Sequence, residues 1–163
     1  MMNLVLASNN RGKLAELQAL FAGLDMILIS QSSLGVTEAE EPYRTFVENA
    51  LTKARHASQS TGLPAIADTA SYATQFGYEK GEANNVKALL EQLKGQSNRR
   101  AALVSTLVAL RSKDDPEPLI AVGRAVGEIT EKPIGDNGFG FDPVMYIPQL
   151  GKTFAQLSDS EKN

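Results

Sequence analysis

Residues 4–13 read Leu-Val-Leu-Ala-Ser-Asn-Asn-Arg-Gly-Lys, an apolar strand that passes directly into a helix. The pattern predicts a strand over Leu4–Ala7 and a helix from about Lys13 to Phe21 whose apolar side chains share one face. A junction of this kind exposes unpaired backbone N–H groups and the positive end of the helix dipole, so it favours anions. The stretch therefore predicts an α/β fold and a weak, general phosphate signal at its first turn.

The side chains of this turn allow two interpretations. Ser8 and Asn10 can orient anionic oxygens by hydrogen bonding, Gly12 permits close backbone approach, and Lys13 adds a mobile positive charge. In the alternative, Asn10 is an ordinary helix N-cap and Lys13 is a solvated lysine. The spacing differs from the P-loop consensus and does not choose between the two.

Composition narrows the class of protein. A chain of 163 residues with 42% hydrophobic and 21% charged residues fits one soluble domain. A net charge of −3 argues against a broad nucleic-acid or membrane surface, and the absence of cysteine excludes disulfides and thiolate metal sites. The N-terminus shows no signal-peptide pattern, so we expect a cytoplasmic protein.

Strand and helix patterns alternate along the first part of the chain, whereas two neighbouring strand patterns in the second part suggest a hairpin. The expected fold is therefore α/β with a mixed sheet and flanking helices. The further expected elements are strands at 26–29, 64–68, 101–110 and 119–128 and helices at 45–59 and 84–93, with a helix opening near 158.

Carboxylates are the main candidates for chemistry. Glu40 and Glu41 lie in an acidic loop, Asp68 is expected at the end of a strand, and Asp142 lies beside a glycine-rich loop. Mg²⁺ prefers oxygen ligands and needs only one or two carboxylates when substrate phosphates complete its shell. The alternative for each residue is a solvated carboxylate without a functional role. This alternative is weakest for Asp68, because ligands bind at strand ends of α/β sheets.

Four other residues each allow a functional and a structural interpretation. Lys53, on an apolar helix face, is either a phosphate ligand or a lysine whose head reaches solvent. His56, the only histidine, has no triad partners and is expected at the surface. Phe139 and Phe141 are either core residues or stacking residues for a planar base, and the strand context favours the core for Phe141.

Four motifs occur in one order and resemble a known family, the non-canonical purine nucleoside triphosphate pyrophosphatases (Ham1/RdgB-like inosine triphosphatases). The motifs span residues 8–16, 45–54, 64–68 and 138–143, so the resemblance covers nearly the whole chain. It implies a single α/β domain over 1–163, built as two lobes around a central cleft, and a homodimer. It also implies Mg²⁺-dependent hydrolysis of ITP, dITP and XTP to the monophosphate and pyrophosphate.

The resemblance also assigns roles to individual residues. It implies triphosphate binding by Ser8, Asn10 and Lys13, phosphate contact by Lys53, and metal-linked carboxylates at Glu41 and Asp68. The remaining implied contacts are with the purine base and substrate: Phe139, Asp142 and Lys162. A water would attack within the triphosphate, and a carboxylate near the metal, with Asp68 as the candidate, would orient or deprotonate it.

Two departures from the family qualify this expectation. After Asp68 the family has a second Asp, its presumed general base, and then an active-site loop, whereas this chain continues with Thr69. The family's C-terminal helix is also expected to be missing beyond Asn163. The alternatives are therefore a Maf-type nucleotide pyrophosphatase, which the motifs at 45–54 and 138–143 disfavour, and a catalytically impaired nucleotide-binding protein.

Overall fold

The computed structural model describes residues 1–74, 77–79 and 83–162. Asn163, the end of the expected C-terminal segment, lies outside the described residues. The helices are α1 (Arg11–Leu20), α2 (Phe46–Thr61), α3 (Ala83–Gln92) and α4 (Asp159–Lys162). The strands are β1 (Met2–Leu6), β2 (Met26–Ser30), β3 (Ala65–Thr74), β4 (Gly77–Glu79), β5 (Arg100–Leu110), β6 (Leu119–Ile129), β7 (Met145–Ile147) and β8 (Lys152–Thr153). None of the helices in this described part is long and apolar enough to cross a membrane.

The strands form a mixed sheet, as predicted. Their order is β2-β1-β3-β5-β6-β7-β8, with β4 paired to β3 outside this path. Strand β1 runs parallel to β2 and β3, while β7 runs antiparallel to β6 and β8. By contacts the chain divides into two compact units, Met1–Thr69 with Ser105–Val122 and Ala70–Val104 with Gly123–Asn163.

The first unit is built on both faces of β1. Because side chains alternate along a strand, Val5 and Ala7 pack in one cluster with α2 while Leu4 and Leu6 pack in another with α1. Helix α2 contributes small residues, Ala50, Ala54 and Ala57, all with no exposed surface. Small side chains at helical spacing let a helix lie close to a sheet, and this packing places the polar residues of α2 near β3.

Strand β3 differs from the prediction. The sequence predicted a strand ending at Asp68, but β3 continues without a break to Thr74, so Asp68 lies inside the strand. The residues that follow Asp68, Thr-Ala-Ser-Tyr, contain no glycine or proline to stop a strand. The hydroxyl of Thr69 in this strand is buried and has no hydrogen-bond partner within the described residues.

The second unit has its own core, which confirms the expectation for Phe141. That ring is fully buried and packs with Leu89 of α3, with Leu93 directly after that helix, and with Met145 of β7. The glycine-rich loop is therefore anchored to the core by the residue next to Asp142.

Helix α4 is held to the second unit by Glu161. One carboxylate oxygen of Glu161 accepts from Lys152 at 2.7 Å, and the other accepts from the backbone N–H and hydroxyl of Ser158 at 2.8 and 3.0 Å. The Lys152 bond, followed by the two Ser158 bonds, lowers the pKa of Glu161 from its ordinary 4.5 to about 2. The Glu161 carboxylate thus ties a helix of only four residues to β8.

We predict that Glu161 titrates with a midpoint near 2 in the folded protein. Because its folded pKa is depressed, its contribution to stability is present above pH 4.5 and is lost as the pH falls toward 2. The measurement is an NMR titration of the Glu161 side-chain carboxyl carbon. A midpoint near its ordinary 4.5 would contradict the contacts described. The variant Glu161→Gln, which cannot titrate, serves to assign the signal.

We also predict that Thr69→Val stabilises the protein by about 1 kcal/mol, because valine has a similar shape and removes an uncompensated buried hydroxyl. Thr153→Val is the matched control. Its hydroxyl is buried but donates to the carbonyl of Ile134 at 2.7 Å, so this variant should be destabilised. Urea unfolding gives both values, and equal losses of stability in the two variants would refute the prediction.

Candidate active site

The turn after β1 is shaped by its own side chains. The Asn10 side-chain oxygen accepts from the backbone N–H groups of Gly12 at 2.9 Å and Lys13 at 3.2 Å, which confirms it as the N-cap. The Ser8 hydroxyl accepts from the N–H of Asn10 at 3.2 Å. The expectation of unpaired N–H groups at this junction is therefore wrong for these three groups, because the cap occupies them.

Lys13 reaches from the first turn of α1 to Asp68. Its ammonium nitrogen lies 2.6 Å from Oδ2 of Asp68, and both side chains are largely buried, 20% and 9% exposed. The register of β1 on β3, with Leu6 opposite Ile66, explains the meeting. Because the two strands are parallel, the turn that follows β1 lies level with Asp68.

Lys53 approaches Asp68 from α2. Its ammonium donates to the backbone carbonyl oxygen of Asp68 at 2.9 Å and lies 3.7 Å from Oε1 of Glu41. The apolar stripe of α2 carries Lys53 toward the sheet, and only 15% of its side chain is exposed. Lys53 is thus held between two acidic residues.

Asp68 has one carboxylate oxygen to spare. Oδ2 is taken by Lys13, whereas Oδ1 is buried and has no hydrogen-bond partner among the residues that the structure describes. A buried carboxylate oxygen without a partner is costly unless a cation or a water meets it. Asp68 and Glu41 offer only oxygen ligands and lie on either side of Lys53, which fits a hard cation that keeps substrate oxygens or waters.

Asp68 and Glu41 fit a cation that is shared with a bound ligand. They do not form a site that holds a cation with protein ligands alone. Within the described residues, no three acidic, histidine or cysteine side chains gather as a metal-binding group. Two carboxylates suffice for Mg²⁺ when phosphate oxygens and waters supply the other positions.

The loop that carries Glu41 is tied to α2 by residues whose contribution the sequence did not reveal. Asn49 bonds to the backbone of Tyr43, and His56 Nε2 lies 3.0 Å from the carbonyl oxygen of Thr37. His56, which was expected to be a surface residue, therefore also contacts the backbone of this loop. The available signal for Asn49 was its position, one turn before Lys53 on the apolar stripe of a helix.

A second group of predicted residues lies in the second unit. Asp142 Oδ2 accepts from Lys162 at 3.0 Å and from the backbone N–H of Phe139 at 3.2 Å. Asp142 and Lys162 are each 10% exposed, and Phe139 is partly buried. The structure therefore brings together the three residues for which the resemblance implied base and substrate contacts.

Gly138 is what allows these groups to come so close. It has φ of +87°, and a Cβ there would lie 2.0 Å from Oδ2 of Asp142 and 2.6 Å from the Lys162 ammonium. Any side chain would therefore clash with the ion pair and would strain the backbone as well.

Taken by unit, the predicted residues form two groups. Those in the first unit are linked through Asp68 and through the turn after β1: Ser8, Asn10, Lys13, Glu41, Lys53 and Asp68. The first group combines two lysines with two carboxylates. In such a set, the lysines can leave the carboxylates and bind phosphate oxygens instead. A cation can then take the place of the lysines on the carboxylates.

Comparison with known proteins agrees with these observations. Residues 4–163 match the model of the Ham1 family. A protein named dITP/XTP pyrophosphatase from Paracidovorax citrulli is 64% identical over 178 residues, covering 99% of this chain and 89% of that relative. A relative of the same name from Albidiferax ferrireducens shows the same identity and coverage.

A solved structure agrees as well. The HAM1 protein from Coxiella burnetii superposes with a TM-score of 0.86 at 39% identity, covering 100% of this chain and 90% of that one. The alignments with the two named relatives, at 178 residues, are longer than the 163-residue chain, so those relatives carry residues that this chain lacks. The matched model and these identities together establish that the chain belongs to the Ham1 family.

Proposed function

We propose that this protein hydrolyses non-canonical purine nucleoside triphosphates, ITP, dITP and XTP, to the monophosphate and pyrophosphate, and so removes damaged nucleotides from the pool. The observation that carries the proposal is the Asp68 carboxylate, with one oxygen on Lys13 and the other buried and free. Family membership and the names of the relatives at 64% identity support the same activity over the Maf-type alternative.

The first group would bind the triphosphate. Lys13 and Lys53 exchange their contacts with Asp68 and Glu41 for phosphate oxygens, and Ser8 and Asn10 hold the turn that presents Lys13. Charge that develops on the phosphoryl oxygens and on the departing pyrophosphate is then stabilised by two ammonium groups in a partly buried setting.

Glu41 and Asp68 would hold Mg²⁺ in this group. The ion would supply electrostatic stabilisation of the triphosphate and a more acidic water. Oδ1 of Asp68, which is buried without a partner in the described part of the chain, would take a proton from the attacking water. The water oxygen forms a bond to phosphorus, the bond from phosphorus to the bridging oxygen breaks, and pyrophosphate leaves with that electron pair.

The second group would read the base. The Phe139 ring stacks on the purine, and the Lys162 ammonium donates to the 6-keto oxygen. A 6-amino group is itself a donor and cannot accept from Lys162, so adenine does not form this charge-assisted hydrogen bond. Asp142, which holds Lys162 at 3.0 Å, accepts from the N–H edge of the base.

One observation favours a second candidate, a protein that binds these nucleotides with little turnover. Asp68 is followed by Thr69 in an unbroken strand, where the family's second Asp was expected. In that case the two lysines still bind phosphate and the second group still binds the purine. The proton acceptor for the attacking water, however, is weak.

We further propose that the protein acts in the cytoplasm as a homodimer, with no nucleic-acid polymer or membrane as partner. Its net charge of −3 leaves only local positive sites for phosphate. The charge pattern thus suits a small anionic substrate.

We predict that the purified protein with Mg²⁺ releases pyrophosphate from ITP with kcat/KM at least about 100-fold above that for ATP. Pyrophosphate release and chromatography of the monophosphate product measure this. The control Lys162→Met should lose most of the discrimination, because it removes the donor to the 6-keto oxygen.

Other outcomes distinguish the candidates. Equal rates with ITP and ATP, or release of orthophosphate, would refute the proposed activity. Tight ITP binding without pyrophosphate release would identify the nucleotide-binding protein instead.

A further inference from the structure

Asn49 is a buried polar residue that the proposed chemistry does not use. It lies in the first turn of α2, is 8% exposed, and is followed directly by the fully buried Ala50. An amide in such a place is costly unless both its donor and its acceptor are satisfied. Its partners therefore show what it is for.

Both polar ends of the Asn49 side chain bind one residue of the acidic loop. The side-chain oxygen accepts from the backbone N–H of Tyr43 at 2.9 Å, and the side-chain nitrogen donates to the carbonyl oxygen of Tyr43 at 3.0 Å. The two bonds hold the two peptide groups that flank the Tyr43 Cα, so together they fix both the position and the orientation of the Tyr43 backbone.

The two hydrogen bonds between Asn49 and Tyr43 restrain Glu41 through a stiff stretch of backbone. Pro42 stands between Glu41 and Tyr43, fixes its own φ near −65°, and restricts Glu41 to extended backbone. Few soft torsions therefore separate the clamped residue from the carboxylate two positions earlier. Fixing Tyr43 fixes where the Glu41 side chain starts.

The same helix carries the other contact of Glu41. Lys53 follows Asn49 by four residues and so shares its face of α2, and its ammonium lies 3.7 Å from Glu41 and 2.9 Å from the Asp68 carbonyl oxygen. One face of α2 thus sets Glu41 relative to Asp68 by two routes, through the loop backbone and through the lysine.

We propose that Asn49 is a positioning residue that holds Glu41 at the distance from Asp68 at which the two carboxylates share a divalent cation. The inference rests on the proposed function, because that function names the two carboxylates as the ligands. Partners that orient metal ligands commonly affect metal affinity by about 10- to 100-fold, although they touch no metal themselves.

The test measures Mn²⁺ binding, not turnover. Electron paramagnetic resonance of free Mn²⁺ gives its dissociation constant for the protein saturated with an ITP analogue whose α,β-bridging oxygen is replaced by NH. Asn49→Ala should weaken Mn²⁺ binding about 10-fold. The affinity for the same analogue in EDTA should stay within about twofold, since the lysines are untouched. A merely structural role would lower both affinities together.

Two further variants keep the test decisive. Asn49→Asp retains an acceptor for the Tyr43 N–H but loses the donor to its carbonyl, so an intermediate loss is expected. Thr52→Ala is the control on α2, because its hydroxyl bonds within the helix to the carbonyl of Glu48 and does not touch the loop. If Asn49→Ala does not fold, the Mn²⁺ affinities of Asn49→Asp and Thr52→Ala are compared instead.

Wild-type Mn²⁺ affinity in the folded Asn49 variants would overturn the inference, and so would equal losses in Thr52→Ala. Failure of the proposed function gives a different result. A wild-type protein that binds Mn²⁺ but hydrolyses no ITP would refute the activity, while a loss of that Mn²⁺ binding on Asn49 substitution would still support the positioning role.

Discussion

The ion pair between Lys13 and Asp68 is the interaction on which the first unit's site depends. It joins the first turn of α1 to the middle of β3, at 2.6 Å and with little exposed surface on either side chain. A buried pair of this kind gains little net stability, because desolvation of the two charges offsets their attraction. Its value is that each charge is kept where a ligand of opposite sign can take over its partner.

The arrangement around Asp68 makes such an exchange balanced. Two lysines face two carboxylates, and one oxygen of Asp68 has no partner. A triphosphate brings negative charge to the lysines and its cation brings positive charge to the carboxylates, so neither set is left unpaired. The Asp142 and Lys162 pair in the second unit follows the same principle, since each is already paired before a base arrives.

The sequence predicted local features well and long-range ones poorly. Strand β1, helix α1 and the Asn10 cap followed from apolar spacing and from the chemistry of helix starts, which are local. Asp68 was expected at a strand end, but the structure shows an unbroken strand, because the residues after Asp68 contain no glycine or proline to stop it. The contact of Asp68 with Lys13 depends on the parallel register of β1 and β3, which no local pattern encodes.

Asn49 illustrates the same limit. As part of the motif at 45–54 it supported the family resemblance, but its two bonds to Tyr43 depend on how the acidic loop folds back on α2. An asparagine on an apolar helix face indicates that a partner exists and does not identify it. Functional roles carried by backbone contacts are therefore found only in the structure.

We infer that Asp68 restrains the lysines while also providing the oxygen that serves the reaction. The substitution Asp68→Asn tests both roles, because it should strengthen metal-free binding of pyrophosphate and abolish turnover. We expect several-fold tighter binding of pyrophosphate in EDTA, measured by calorimetry, because Lys13 loses its anionic partner, together with loss of Mg²⁺-dependent pyrophosphate release from ITP. Weaker metal-free binding of pyrophosphate, or unchanged turnover of ITP, would contradict it.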